Sequence, residues 1–368
     1  MKRLLTAVLL AAGLVALPSL ASAQAVCTLP EENLINWPAS GTPVWSLCWV
    51  RATKSSGARA SGLEIRNVYY NGHLALKRGH IPILNVIYEG GNCGGASHCY
   101  RDKVNQELGY LTNNICPPPK SGTNCGYAEP SCPPVMECDM ASGMVDVCTM
   151  GQPPPPNECG QMCFVGVSAE ELPDRLILST QLRAGWYRYA EKWTFLADGT
   201  IQPSWGFSAV FDPCTSFTHR HNAYWRLDFD IDGPASDKVV EGPTPIGMGE
   251  IKTEAKRLNN QPGLYWEVTD RNTGRGYRLV PGAETENAPA DTFAVADFWV
   301  LKYKPEELDD NGQVGPACAI KINPFINNNS LDQDLVVWYR TGFRHLGHDL
   351  DHCHVVGPTL VPIGDWSP

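Results

Sequence analysis

A chain of 368 residues, 43% hydrophobic and 18% charged, has enough apolar material to bury a large core as one big β domain or two ordinary ones. Its formal net charge of −10 argues against a nucleic-acid partner. Beyond the N-terminus no apolar run approaches the ~20 residues that cross a bilayer, so no membrane-spanning segment is expected.

In chain order, Lys2-Arg3, the run LLTAVLLAAGLVAL, Pro18 and the small triplet Ala21-Ser22-Ala23 have the layout of a bacterial secretory signal peptide cut near Gln24. Residues 1–23 are set apart on that ground, and a secreted or periplasmic location is expected. GLEIRNVYYNGHLALKRG, residues 62–79, reads as two strands joined at Asn71-Gly72. Residues 111–165 are rich in Pro, Gly and Cys and lack the backbone donors a sheet needs. Nine of the 14 cysteines fall between Cys93 and Cys163. In an oxidising compartment disulfides are the expectation, with pairing undetermined, and the spacings form no paired CxxC set for zinc.

SAEELPDRLILSTQL, residues 168–182, is the one helical candidate, capped at Ser168 and broken at Pro173. After it come WYRYAEKWTFLADGTIQPSWGFSAVF with a turn at Asp198-Gly199, YWRLDFDIDG, GLYWEVTDRNTGRGYRLV, FWVLKYKP and DLVVWYRTGF. Alternation and Val, Tyr, Trp and Phe enrichment make these strands. The expected fold is all-β, a large antiparallel β-sandwich forming a single domain over 24–368, with 111–165 as a disulfide-rich irregular insertion.

His219 and His221 share one face of a strand. FRHLGHDLDHCH places His345, His348, His352 and His354 after another strand, and a third imidazole there would complete a site suited to copper or zinc. The plainer alternatives are hydrogen-bonded strand histidines and a solvated histidine-rich loop. Asp228 and Asp230 lie on the face opposite His221. They offer hard oxygens suited to calcium, or simply an acidic turn before Asp232-Gly233.

Together these pieces resemble the catalytic domain of copper amine oxidases. Tyr88, at the end of VIY, and Asp102, fourteen residues later, match a family tyrosine and its catalytic base. Tyr187 in WYRYAEKWTFLADGTI matches the tyrosine that becomes topaquinone. His219, His221 and His345 match the copper ligands. Asp228, Asp230 and Asp334, with the carbonyls of Phe229 and Leu335, match a peripheral calcium-type site. The resemblance implies Cu(II), a topaquinone from Tyr187 and calcium as cofactors, a primary amine and dioxygen as substrates, and a homodimer. The implied reaction is oxidative deamination to aldehyde, ammonia and hydrogen peroxide, with Asp102 as base and Tyr88 fixing the quinone ring. The chain reads Trp186-Tyr187-Arg188 where the family carries asparagine and a carboxylate around its tyrosine. That departure defines the competing reading, a secreted copper-binding protein on the same fold without the quinone.

Overall fold

The computed structural model describes residues 23–56, 62–89, 99–101, 106–107, 109–111, 163–165, 167–184, 187–209, 217–282, 296–308, 322–345 and 354–368. Residues 1–22, Asp102, Trp186, His348, His352 and nearly all of 111–165 lie outside them.

Strands β1 (Asn33–Trp37), β2 (Trp45–Val50), β3 (Glu64–Tyr70) and β4 (His73–Tyr88) form a meander. Asn71 and Gly72 join β3 to β4 with φ of 48° and 84°. Two left-handed residues in succession make the turn whose twist matches the flanking strands. Short strands β5 (Cys99–Arg101), β6 (Gln106–Glu107), β7 (Gly109–Leu111) and β8 (Cys163–Val165) follow.

The second meander is β9 (Ser168–Leu172), β10 (Arg175–Ala184), β11 (Tyr187–Leu196) and β12 (Ile201–Ala209). The helix expected over 168–182 is instead the β9–β10 hairpin, with Arg175 paired to Leu172. Pro173 sits in its turn, where its fixed φ is an asset. Leu176, Leu178 and Leu182 alternate into the core, so tertiary burial overrides the weak helical signal.

The chain then crosses to the first sheet as β13 (His219–Asp228). After it come β14 (Asp237–Gly242), β15 (Gly249–Ile251), β16 (Ala255–Arg257), β17 (Tyr265–Asp270), β18 (Gly276–Val280), β19 (Phe298–Lys302), β20 (Leu335–His345), β21 (His354–Val356) and β22 (Thr359–Ile363). The first sheet has the order β1-β2-β3-β4-β13-β20-β19-β16, and the second β15-β14-β17-β18-β22-β12-β11-β10-β6. Both are antiparallel, and among the described residues the helical turns are three short 3₁₀ pieces. No helix among those residues is long and apolar enough to cross a membrane.

The core lies between the sheets. Trp193 of β11 meets Trp225 of β13 edge-on at 5.3 Å, and Trp266 of β17 stacks on Phe298 of β19 at 4.3 Å. β13 is central in its sheet and buried on both faces, except for Arg220. Its inner side carries His219, His221, Ala223, Trp225 and Leu227. Its outer side lies under a second apolar cluster that joins Tyr224 and Trp338 to Ala296 and Ile322. The Cys27–Cys48 disulfide ties the segment before β1 to β2. The cysteines of the 93–163 stretch have no described side chains.

Candidate metal and cofactor site

The register of the first sheet aligns three residues distant in sequence. Across β4, β13 and β20, Tyr88 pairs with His219 and His219 pairs with His345. Directly paired residues lie on one face of a sheet, so positions 88, 219 and 345 form one inner row. His221 follows two residues along β13, paired with Val86 and Phe343.

His219 and His221 are fully buried, with ring centroids 4.9 Å apart. His219 Nδ1 lies 2.6 Å from the Phe217 carbonyl oxygen. A carbonyl only accepts, so this contact assigns the proton to Nδ1 and the lone pair to Nε2, the nitrogen that a metal would take. Tyr88 is buried, with its ring 5.4 Å from that of His219.

The second sheet supplies the opposite wall. Tyr189 of β11 and Trp205 of β12 lie 6.0 and 5.9 Å from His221, ring centroid to ring centroid. Trp193 faces Trp225, and four residues back on each strand Tyr189 faces His221. β11 and β13 therefore run in the same direction across the sandwich. β11 begins at Tyr187, two residues before Tyr189. The donor set fits the implied copper: two buried imidazoles, one with its tautomer fixed, in an aromatic, water-poor shell.

A second cluster lies on the outer side of β13. Oxygens of Asp228, Asp230 and Asp334 all come within 4.8 Å of one another. Each residue has a buried Oδ1 without a hydrogen-bond partner. Burial, then the negative charges of Asp228 and Asp334, push the Asp230 carboxyl up to about 7. Burial and Asp228 push Asp334 up to about 6, and burial raises Asp228 against the pull of Arg226. Three oxygen donors that repel one another are suited to a hard cation. The Phe229 carbonyl accepts a hydrogen bond from Lys77 N at 3.2 Å, which leaves it a second lone pair. Leu335 starts β20 next to Asp334.

Asp232, third in the Asp-x-Asp-x-Asp run, takes another partner. Its Oδ2 accepts from Arg275 Nε at 2.7 Å. The expected turn is real there, since Asp230, Asp232 and Gly233 have φ of 46°, 55° and 134°.

Two carboxylates escaped the sequence reading. Glu191 is fully buried two residues beyond Tyr189, and burial pushes it up to about 8. Asp237 opens β14 and is 2% exposed. Burial, then the charges of Asp230, Asp270 and Asp334, push it up to about 8. Its sequence neighbourhood, Ala-Ser-Asp-Lys, is that of an ordinary surface turn and gave no signal. A cleft of about 340 Å³, lined by residues that include Ile246, Met248, Arg257 and Leu264, contains none of the histidines.

Residues 203–359 match the model of the copper amine oxidase enzyme domain. A primary amine oxidase and a copper methylamine oxidase, both of Arthrobacter sp. (strain P1), are each 24% identical over 224 residues, 47% of this chain and 35% of the relative. The chain thus spans about a third of the length of the curated relatives it matches. The Aspergillus nidulans amine oxidase structure aligns with a TM-score of 0.57 at 16% identity, covering 94% of this chain and 56% of its own. The Pichia pastoris lysyl oxidase gives 0.56 at 14%, covering 87% and 52%. With the β-sandwich they share, these matches show that the chain resembles the copper amine oxidases over residues 203–359 and has the fold of their enzyme domain.

Proposed function

We propose that the chain is a copper-dependent oxidase of primary amines in which Tyr187 is the precursor of topaquinone. The observation that carries this is the Tyr88–His219–His345 row, faced across the sandwich by Tyr189 of the strand that begins at Tyr187. His219 and His221 hold the metal from β13, and His345 is the third ligand from β20. When bound, copper would supply the dioxygen chemistry that turns the Tyr187 phenol into an electrophilic quinone able to take two electrons from an amine.

Tyr88, packed beside His219, orients the modified ring by a hydrogen bond to its oxygen. Asp102 takes the proton from the amine α-carbon. The buried aromatic wall of Tyr189 and Trp205 keeps bulk water from the metal. Amine, dioxygen and water are consumed, and aldehyde, ammonia and hydrogen peroxide leave. The test is the chemical state of residue 187 after aerobic copper loading, read by peptide mass and by reaction with a hydrazine. A quinone at 187 with peroxide release from primary amines is expected. An unmodified Tyr187 in copper-loaded protein would leave the quinone-free copper protein as the answer.

We also infer that Asp228, Asp230 and Asp334, with the Phe229 and Leu335 carbonyls, hold a calcium-type cation. The clustering of their oxygens supports this, and loss of calcium uptake in Asp230→Asn tests it. Export completes the reading, supported by the N-terminal residue order. Ala25 is already packed, with its N–H donated to Ser46 Oγ at 2.9 Å. A mature N-terminus elsewhere than near Gln24 would count against it.

A further inference from the structure

We propose that Asp237 is a fourth carboxylate of the calcium-type site, a positioning residue that fastens the Asp230 loop and supplies a charge from the second sheet. This rests on the reading of Asp228, Asp230 and Asp334 as cation ligands.

Asp237 begins β14, in the second sheet, whereas Asp228 and Asp334 belong to β13 of the first sheet and the approach to β20. Its Oδ2 accepts a hydrogen bond from Ile231 N at 3.1 Å. Ile231 sits between the two left-handed residues Asp230 and Asp232, so this bond fixes the backbone that carries Asp230. Its Oδ1 is buried and has no hydrogen-bond partner. A carboxyl held at 2% exposure without a paired cation rests protonated, and a positive charge arriving nearby would favour its ionised form.

The arginine beside Asp228 is already committed. Arg226 lies 3.5 Å from Asp228 and is hydrogen-bonded to Glu307 Oε1 at 2.6 Å. Asp237 is not among the oxygens that converge within 4.8 Å. It therefore acts through the loop and the field and does not itself ligate. A bound cation would draw charge from both sheets and close the seam between them.

The test compares wild type, Asp237→Asn and Asp237→Ser, all calcium-free, by calcium titration calorimetry and by melting with and without calcium. Both variants keep an acceptor for Ile231 N and drop the charge. Calcium affinity is expected to fall about tenfold or more, the scale of one charge at a partly buried site. The calcium-free melting point should rise, and the calcium-induced gain should shrink. Unchanged affinity, with melting lowered equally in both conditions, would overturn the inference and leave the site standing. A wild-type protein that takes up no calcium would overturn the site reading, and this inference with it.

Discussion

His219 and His345 are directly opposed residues on neighbouring antiparallel strands. Such partners have Cβ atoms about 4.5–5.5 Å apart on one face, close enough for two imidazoles to share one ion. The β13–β20 ladder therefore holds the two backbones in register.

Copper retention after dialysis should then depend on both residues. His219→Ala and His345→Ala are each expected to lose bound copper by about 10-fold or more in affinity, since each would remove one of the proposed ligands. Full copper content in His345→Ala would move the third ligand elsewhere. His354 is the alternative, because its backbone pairs with Phe207, itself paired with Tyr189 on the inner side of the second sheet.

Residues that act through local pattern were legible in the sequence. The β3–β4 and β11–β12 hairpins follow from alternation plus Asn71-Gly72 and Asp198-Gly199, where φ is positive at both glycines. The β9–β10 hairpin was not, because SAEEL has helical propensity and only burial of Leu176, Leu178 and Leu182 decides against it. The histidine pair on β13 was visible, but its alignment with Tyr88 and His345 is long-range pairing, for which one sequence holds no signal apart from the family resemblance. Asp237 was invisible for a related reason. It reaches Asp230 only because two left-handed residues fold the loop back toward β14.

Glu191 gives a pH dependence with a definite sign. Its folded pKa is raised to about 8 from 4.5 by burial, so the unfolded chain loses this proton first as pH rises. The stability it contributes is full below about 4.5 and is lost as pH climbs through about 8. Each pH unit in that window costs about 1.4 kcal/mol. Glu191→Gln cannot titrate, so the slope of unfolding free energy against pH between 5 and 8 should flatten by about one proton. An unchanged slope would show that Glu191 stays ionised inside the core.

The Cys27–Cys48 disulfide closes a loop with a sequence separation of 21. Replacing both cysteines by serine should cost about 2–4 kcal/mol, through the entropy regained by the unfolded chain. The loss should appear in chemical unfolding without change in copper content, since the bond anchors the segment before β1, at the edge of the first sheet. A variant that unfolds like wild type would mean that β1 and β2 hold that edge unaided.

Gly62 and Glu191 form a pair whose coupling can be measured. A Cβ on residue 62 would collide with Oε2 of Glu191. That oxygen already accepts the Leu63 N–H at 2.7 Å, while Oε1 accepts from Trp193 Nε1 at 2.9 Å. The carboxyl is held at both ends in a closed core and cannot swing aside. Gly62→Ala should therefore destabilise by about 1–3 kcal/mol, the cost of overpacking a well-filled site. The same substitution in a Glu191→Ala background removes the colliding oxygen, so its cost there should nearly vanish. Equal penalties in both backgrounds would show that the methyl is resisted by backbone around residue 62, and that the buried carboxyl is free to move.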